Sequence, residues 1–180
     1  MTKSKSHIPP SKLGLGGGCH WCTEAVISSL KGISKLQSGW ITPLEKGLGE
    51  SEAVLVEFDP GIISLKVLLE IHLLTHASEA DHSMRGKYRS AVYTFSKAQA
   101  KKCDRLLSEL AQDNDLSLIT NIYDFGAFRA VDKAYQDYYY SNPDRPFCQT
   151  YIDPKLKKIF ASHRDQLSDD GIAAVQGMKS

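Results

Sequence analysis

Short apolar runs and helical periodicities alternate along the chain. Runs rich in Val, Ile, Tyr and Phe that end at Gly, Pro or Asp are typical of strands, as in Ala53–Phe58 before Asp59-Pro60. Apolar residues spaced by three or four positions predict helices, and Ser64 and Ser96 precede two of these segments as N-caps. The predicted strands are 11–18 with its turn, 33–40, 53–58, 90–95 and 116–123. The predicted helices run from His20 to a stop at Gly32, and then cover 64–72, 97–111, 130–140 and 155–168.

The order of these elements is β-α-β-β-α-β, followed by further helical and extended segments. This order predicts the α+β class, with a two-layer split β-α-β (ferredoxin-like) core. We expect a mixed, mostly antiparallel sheet and a C-terminal extension. Residues 1–10 are predicted to be a flexible tail, 11–168 a single catalytic domain, and 169–180 a disordered tail.

Composition narrows the class of protein. The chain has 180 residues, of which 42% are hydrophobic and 24% charged, with a formal net charge of +1. A nucleic-acid-binding protein would usually carry an excess of basic residues, so no nucleic-acid partner is expected. There is no apolar run of about 18 residues, so we expect no membrane span. The polar N-terminus resembles no signal peptide, and four cysteines in such a chain favour redox chemistry or packing in the cytoplasm.

One segment predicts a reactive thiol. Leu13–Gly18 reads as a short strand and a glycine turn, and the helix that follows carries Cys19 and Cys22 in its first turn. The exposed N–H groups and positive end of a helix favour thiolate over thiol. The glycines allow a substrate to approach the sulfur, and Trp21 adds an apolar wall.

Other interpretations of this segment remain open. A cysteine beside a glycine turn is often a small buried hydrophobe. Cys19 and Cys22 also form a Cys-x-x-Cys pair, which serves in thiol-disulfide oxidoreductases and in metal sites. A metal site needs a second pair of ligands, and His76 and His82 would supply one only with an unusual geometry. The sequence therefore predicts no metal site.

The residues around Cys19 match a known family. Gly17-Gly18-Cys19-His20-Trp21, followed by Glu24-Ala25-Val26, resembles the Gly-Cys-Phe-Trp signature of the A-type peptide methionine sulfoxide reductases. Further similar blocks occur in the same order across roughly residues 13 to 160. These blocks are 30–33, 38–40, 52–60, 68–70 with 76, 88–91, 128 with 135–138, and 142–143 with 148.

The resemblance implies a set of roles. Cys19 would attack the sulfur of methionine sulfoxide, free or in proteins, with preference for the S epimer. Glu52 would donate a proton to the departing oxygen, Tyr88 would hydrogen-bond that oxygen, and Trp21 would pack on the methyl group. A sulfoxide oxygen leaves poorly until it is protonated, so a carboxylic acid close to the nucleophile fits this chemistry. From the residues alone, the favoured interpretation of Glu52 is a solvated glutamate at a strand start, and the resemblance reverses that preference.

The reaction leaves Cys19 as a sulfenic acid, which a second thiol condenses into a disulfide. Cys148 has the family position of this resolving thiol, whereas Cys22 could act locally, and the resemblance slightly favours Cys148. Thioredoxin or a similar external dithiol would then restore the enzyme, and no bound cofactor is expected.

The chain departs from the family at several positions. His20 replaces the usual Phe, and could pack as a ring, hydrogen-bond a more polar substrate, or act as an additional acid or base. Trp40 stands where the family generally has a Tyr that holds the sulfoxide oxygen, and Ser83 replaces an expected Asp, with Asp81 or His82 nearby. A reductase of a different sulfoxide and a Cys19/Cys22 thiol-disulfide oxidoreductase therefore remain alternatives.

Overall fold

A five-stranded sheet that closes into a barrel forms the centre of the fold. The computed structural model describes residues 9–178, so the predicted tail at 1–10 lies almost wholly outside the described residues. The strands are β1 (Ser11–Gly16), β2 (Ile33–Pro43), β3 (Ser51–Phe58), β4 (Ala91–Thr94) and β5 (Asn121–Ala130). Their order is β1-β3-β2-β5-β4, and β4 pairs back onto β1.

The α+β class and the mixed, mostly antiparallel sheet agree with the prediction, since only β4 and β5 pair in parallel. The two-layer, ferredoxin-like description stays a prediction. The element order did not indicate that β5 pairs with both β2 and β4 and so closes the sheet. The strand predicted at 116–123 begins later, at Asn121, and continues to Ala130. Because β5 extends to Ala130, it can pair with both β2 and β4.

Alternation along the strands separates two apolar clusters. Side chains at successive strand positions point to opposite faces. One face fills the barrel with Ile41, Ala53, Ala91 and Tyr93. The other face carries Leu13, Leu15, Val54, Val56 and Phe58, which join the larger core beneath the helices. In β3 this alternation assigns Glu52 to the helix-facing side, in phase with Val54 and Val56.

The helices pack on the outside of this barrel. They are α1 (His20–Ser28), α2 (Leu65–Leu74), α3 (Lys97–Asp113), α4 (Tyr138–Ser141), α5 (Asp153–Ser162) and α6 (Asp169–Gln176). The predicted N-caps are confirmed, because Ser64 accepts the N–H of Val67 and Ser96 accepts the N–H of Gln99. Within residues 9–178, no helix combines the length and the apolar character needed to cross a bilayer.

The segment 130–140 is not the predicted helix. It contains the end of β5, a 3-10 turn (Lys133–Tyr135) and the four-residue α4. Asp137 lies between them with a φ of 55°, a left-handed conformation that ends regular helix and that Asp tolerates better than most residues. Gln136 holds this segment against β2, because its side chain accepts the N–H of Ser38 at 2.9 Å and donates to the Ser38 carbonyl at 2.9 Å.

The tail predicted to be disordered at 169–180 instead contains α6, so that prediction is corrected for residues 169–176. Ser168 caps α6 by accepting the N–H of Gly171, and it also donates its own N–H to the carbonyl of Ser29 at 2.9 Å. A Cβ at Gly171 would overlap the carbonyl oxygen of Ser29. The glycine therefore lets α6 dock against the end of α1.

Gly39→Ala should destabilise the protein, because a Cβ at this position of β2 would overlap the main-chain oxygen of Arg129 and the ring of Phe128. We expect the free energy of unfolding to fall by about 1–3 kcal/mol, the usual cost of overpacking. Urea denaturation measures it. Gly49→Ala is the matched control, because no heavy atom lies within 4 Å of the added methyl group. Equal stability of the two variants would contradict this account of the barrel wall.

Candidate active site

A cavity of about 700 Å³ opens where α1 begins, between the helix and the ends of β2 and β3. Six residues singled out from the sequence line it together: Cys19, His20, Trp21, Trp40, Glu52 and Tyr88. Cys22 and Cys148 lie outside the lining and are both buried. The fold thus brings most of the predicted residues into one space, although they span about 70 positions of the sequence.

Cys19 occupies the N-cap position of α1, and its carbonyl accepts the N–H groups of Cys22 and Thr23. The pKa of the Cys19 thiol is lowered, chiefly because the Cys22 thiol donates a hydrogen bond to its sulfur, with help from the main-chain N–H groups of Trp21 and Cys22. Burial and the charge of Glu52 oppose this shift. The same hydrogen bond and burial raise the pKa of Cys22. Of the two thiols, Cys19 therefore ionises more readily than Cys22.

The glycine turn before α1 has two separate uses. A Cβ at Gly17 would overlap the imidazole of His76, so the close packing of the main chain against this ring requires glycine. Nothing lies within 4 Å of a Cβ at Gly18, so the space beside Cys19 is open. The sequence predicted that the glycines let a substrate approach Cys19. The structure shows a contact with His76 at Gly17 and open space at Gly18.

Glu52 points from β3 toward the first turn of α1 and is only 7% exposed. Its Oε2 accepts the main-chain N–H of His20 at 3.0 Å and lies 3.4 Å from the Nδ1 atom of the same residue. Its Oε1 lies 3.8 Å from Nζ of Lys87. Glu52 is therefore not a solvated glutamate at a strand start, because its side chain is buried and lines the cavity.

The imidazole of His20 is buried between two indole rings. It meets the ring of Trp21 edge-on at 5.7 Å between centroids and the ring of Trp40 edge-on at 5.3 Å. The pKa of His20 is lowered, chiefly by burial. The charge of Glu52 and the carbonyl of Gly39 act in the opposite direction, but their effect is smaller than that of burial. His20 therefore loses its proton more readily than an exposed histidine.

Tyr138, on α4, completes the apolar wall beside Cys19. Its ring stacks on Trp21 at 4.1 Å between centroids with an angle of 7°, and Phe147 meets Trp21 edge-on at 5.9 Å. The N–H of Tyr138 donates to the buried carboxyl group of Glu24 at 2.9 Å. Sequence reasoning did not assign Tyr138 to the site, because only the docking of α4 on α1 brings it there.

Two cations at the rim were also missed. Lys87 lies 5.1 Å above the ring of Tyr88, and the guanidinium of Arg129 lies 3.9 Å above the ring of Trp40. Arg129 also binds the carboxylate of Glu50 through two nitrogens. Lys87 comes from a loop and Arg129 from β5, so no local pattern in the sequence marks them as neighbours of the cavity.

No residue of the loop before Tyr88 takes the place of the Asp that the family resemblance led us to expect. Asp81, His82 and Ser83 are exposed, and none of them lines the cavity. His82 instead accepts the N–H of Met84. Arg85 holds the loop in place by donating to the carbonyl groups of Gly17 and Tyr88.

The four cysteines are free thiols. Cys148 is fully buried in a π-helical turn (Cys148–Ile152), and negative charge on it raises the pKa of Cys22. Among residues 9–178, no three His, Cys, Asp or Glu side chains are grouped to hold a metal ion. His76, considered as a ligand with Cys19 and Cys22, hydrogen-bonds the carbonyl of His72 and the hydroxyl of Ser90.

Comparisons with known proteins identify the family to which the chain belongs. The sequence profile of the family described as peptide methionine sulfoxide reductase matches residues 11–168. A relative from Psychrobacter sp. (strain PRwf-1), named peptide methionine sulfoxide reductase MsrA, is 35% identical over 161 residues, which cover 81% of this chain and 91% of the relative. The crystal structure of Mxr1 from Saccharomyces cerevisiae in reduced form matches with a TM-score of 0.68 at 20% identity, over 79% of this chain and 91% of that chain. Mxr1 in complex with Trx2 matches with a TM-score of 0.57 at 18% identity, over 73% of this chain and 89% of that chain. The match across residues 11–168 shows that this chain belongs to the peptide methionine sulfoxide reductase family.

Proposed function

We propose that Cys19 is the nucleophile of a thiol-dependent reductase of methionine sulfoxide and that Glu52 is its acid. As a member of this family, the chain is an oxidoreductase acting on methionine sulfoxide. The Cys19 thiolate attacks the sulfoxide sulfur while a proton from Glu52 reaches the oxygen. The products are methionine and a Cys19 sulfenic acid, so the substrate sulfur gains two electrons and the cysteine sulfur loses two.

One observation carries the assignment. A thiol whose pKa is lowered at the N-cap of α1 shares its cavity with a buried carboxyl group that hydrogen-bonds the next residue of the same helix. General acid catalysis needs the acid within hydrogen-bond reach of the reacting oxygen. Because Cys19 directly precedes His20, whose N–H donates to Glu52, we expect a sulfoxide whose sulfur contacts Cys19 to bring its oxygen toward Glu52.

The remaining lining residues suit a methyl sulfoxide. Trp21, supported by the stacked ring of Tyr138, offers an apolar surface for the methyl group. Tyr88 is half-buried on the rim and supplies a hydroxyl donor for the oxygen. These two groups on different walls favour one configuration at sulfur, which we assign as S from the family resemblance. Trp40 and His20 line the opposite side and replace the usual Tyr and Phe.

The contacts favour Cys22 over Cys148 as the resolving thiol. Cys22 lies one helical turn from Cys19, and its side chain is the largest contribution to the lowered pKa of Cys19. Cys148 is fully buried, and its Sγ donates to the carbonyl of Asn142 at 3.8 Å. Attack of Cys22 on the sulfenic acid forms a disulfide and releases water.

An external dithiol then reduces this disulfide. We propose a thioredoxin-like protein for this step, supported by the structure of the related Mxr1 in complex with Trx2. Exchange proceeds through attack of a thiolate on one sulfur of the disulfide, and Cys19 is the half-exposed member of the pair. Free thiols throughout the chain favour a reducing compartment such as the cytoplasm.

Cys19→Ser should abolish reduction of N-acetylmethionine S-sulfoxide, because serine supplies no thiolate. Glu52→Gln should keep the hydrogen bond from the His20 N–H but slow the reaction by about 10²–10⁴-fold, the usual contribution of a general acid. The assay measures methionine formed with a dithiol in excess. Undiminished turnover by Cys19→Ser would overturn the assignment. Insulin disulfide reduction that survives Glu52→Gln, without sulfoxide reduction by the wild type, would favour the thiol-disulfide oxidoreductase.

One turnover with sulfoxide and no reductant should leave a Cys19–Cys22 disulfide, detected by mass mapping of the cysteine-containing peptides. Cys22→Ser should leave Cys19 as a sulfenic acid that a dimedone probe can trap. Cys103→Ser is the matched control, because this buried cysteine of α3 lies outside the cavity lining and should leave the disulfide unchanged. A Cys19–Cys148 disulfide in the wild type would overturn the choice of Cys22.

A further inference from the structure

The imidazole of His20 is the side chain that faces the acid of the site. Its Nδ1 atom lies 3.4 Å from Oε2 of Glu52, and both side chains are almost fully buried. Nδ1 has no hydrogen-bond partner that meets strict geometric limits. A buried polar atom without a partner is costly, so the position next to Oε2 requires an explanation.

A ring that merely fills space does not account for this arrangement. A phenyl ring between Trp21 and Trp40 would make the same edge-on contacts as the imidazole. The imidazole differs in having a titratable nitrogen, and that nitrogen is the atom directed at the carboxyl group. A proton between Nδ1 and Oε2 gives Nδ1 a partner, whereas a neutral imidazole with its proton on the other nitrogen leaves Nδ1 without one. Oε2 already accepts the main-chain N–H of His20, so Nδ1 is the atom that the shared proton satisfies.

We propose that His20 and Glu52 share one proton, and that His20 is the positioning residue which holds this proton and returns it to Glu52 for transfer to the sulfoxide oxygen. This inference rests on the proposed function, because it concerns the same acid. In the resting site the proton lies on the imidazole and Glu52 is a carboxylate. During attack by Cys19, the proton on Nδ1 passes to the Glu52 carboxylate and from Glu52 to the sulfoxide oxygen, so Glu52 is again a carboxylate and His20 is neutral. Neutral His20 then takes a new proton from solvent.

The charges around the pair explain why two groups are useful. Lys87, from the loop before β4, lies 3.8 Å from Oε1 and stabilises the carboxylate, which opposes its role as an acid. Cys19, on the same helix, must be anionic for attack, and its charge favours a proton nearby. From β2 the carbonyl of Gly39 favours protonated His20, and from β5 Arg129 lies beyond Trp40. Burial disfavours the imidazolium, so His20 releases its proton readily.

The sign of the pH dependence follows from these charges. A carboxyl group alone ordinarily loses its proton near pH 4, and an imidazole near pH 6.5. For a coupled pair, the last proton is lost at a pH set by the group that holds it more strongly. An imidazole that shares the proton therefore keeps it in the site at a higher pH than a carboxyl group without such a partner.

The test compares the pH profiles of His20→Phe and His20→Asn with that of the wild type. The rate of Cys19 oxidation in one turnover with N-acetylmethionine S-sulfoxide is measured from pH 4.5 to 9. In both variants, the limb that reports the shared proton should move to lower pH by about one unit, while the limb of Cys19 stays within a few tenths. Asn can hydrogen-bond Oε2 but cannot titrate, so it separates the proton from the hydrogen bond.

His163→Gln is the matched control, since Nε2 of His163 lies 3.3 Å from Oε2 of Glu70 at a site away from the cavity. Its profile should coincide with that of the wild type. A loss of rate by the same factor at every pH in both His20 variants would overturn the inference, because that is the signature of packing alone. A wild-type profile in His20→Asn would overturn it as well.

A measurement without turnover provides independent support. In Cys19→Ser, the pKa of His20 is followed by NMR titration of the imidazole, and adding Glu52→Gln should lower it because the attraction of the carboxylate is lost. An unchanged pKa would overturn the shared proton. If the wild type fails to oxidise Cys19 with sulfoxide, the proposed function fails. If it succeeds and the His20 variants show no shift, only this inference fails.

Discussion

The hydrogen bond from the main-chain N–H of His20 to Glu52 is the constraint on which the site depends. It joins the first turn of α1 to β3, and therefore joins the helix layer to the barrel. The N–H groups of a helix N-terminus lack partners within the helix, so a carboxylate that accepts one of them is stabilised. The same contact sets the acid beside the nucleophile, because Cys19 immediately precedes His20.

Two negative groups so close together need compensation. Glu52 opposes the ionisation of Cys19, as does burial. The Cys22 thiol and the N–H groups of Trp21 and Cys22 outweigh both, so the thiolate is held by donors on its own helix. Lys87 balances the carboxylate from the opposite side of the cavity. The ionisation of Cys19 thus depends on a balance between short-range hydrogen-bond donors and desolvation.

The C-terminal part of the chain is a second support. Glu24 on α1 accepts hydrogen bonds from Ser38 of β2 at 2.6 Å and from the N–H of Tyr138. This buried carboxyl group ties a strand, a helix and the returning chain together, and it explains why Tyr138 stacks on Trp21. Farther along, α6 docks on the end of α1 through Ser168 and Gly171. The nucleophile's helix is therefore held at both ends.

The sequence by itself determined the features that depend on neighbouring residues. A glycine turn followed by a helix predicts the reactive thiol at Cys19, and the apolar run Ala53–Phe58 predicts a strand with Glu52 at its start. Only the tertiary structure decided which face of β3 meets α1 and that β5 closes the barrel. It also decided that Lys87 and Arg129 line the cavity and that Tyr138 stacks on Trp21. It also showed that residues 169–176, predicted to belong to a disordered tail, form α6. The physical reason is that caps, turns and periodicities act over a few residues, whereas strand register, docking and burial are set by contacts between segments distant in sequence.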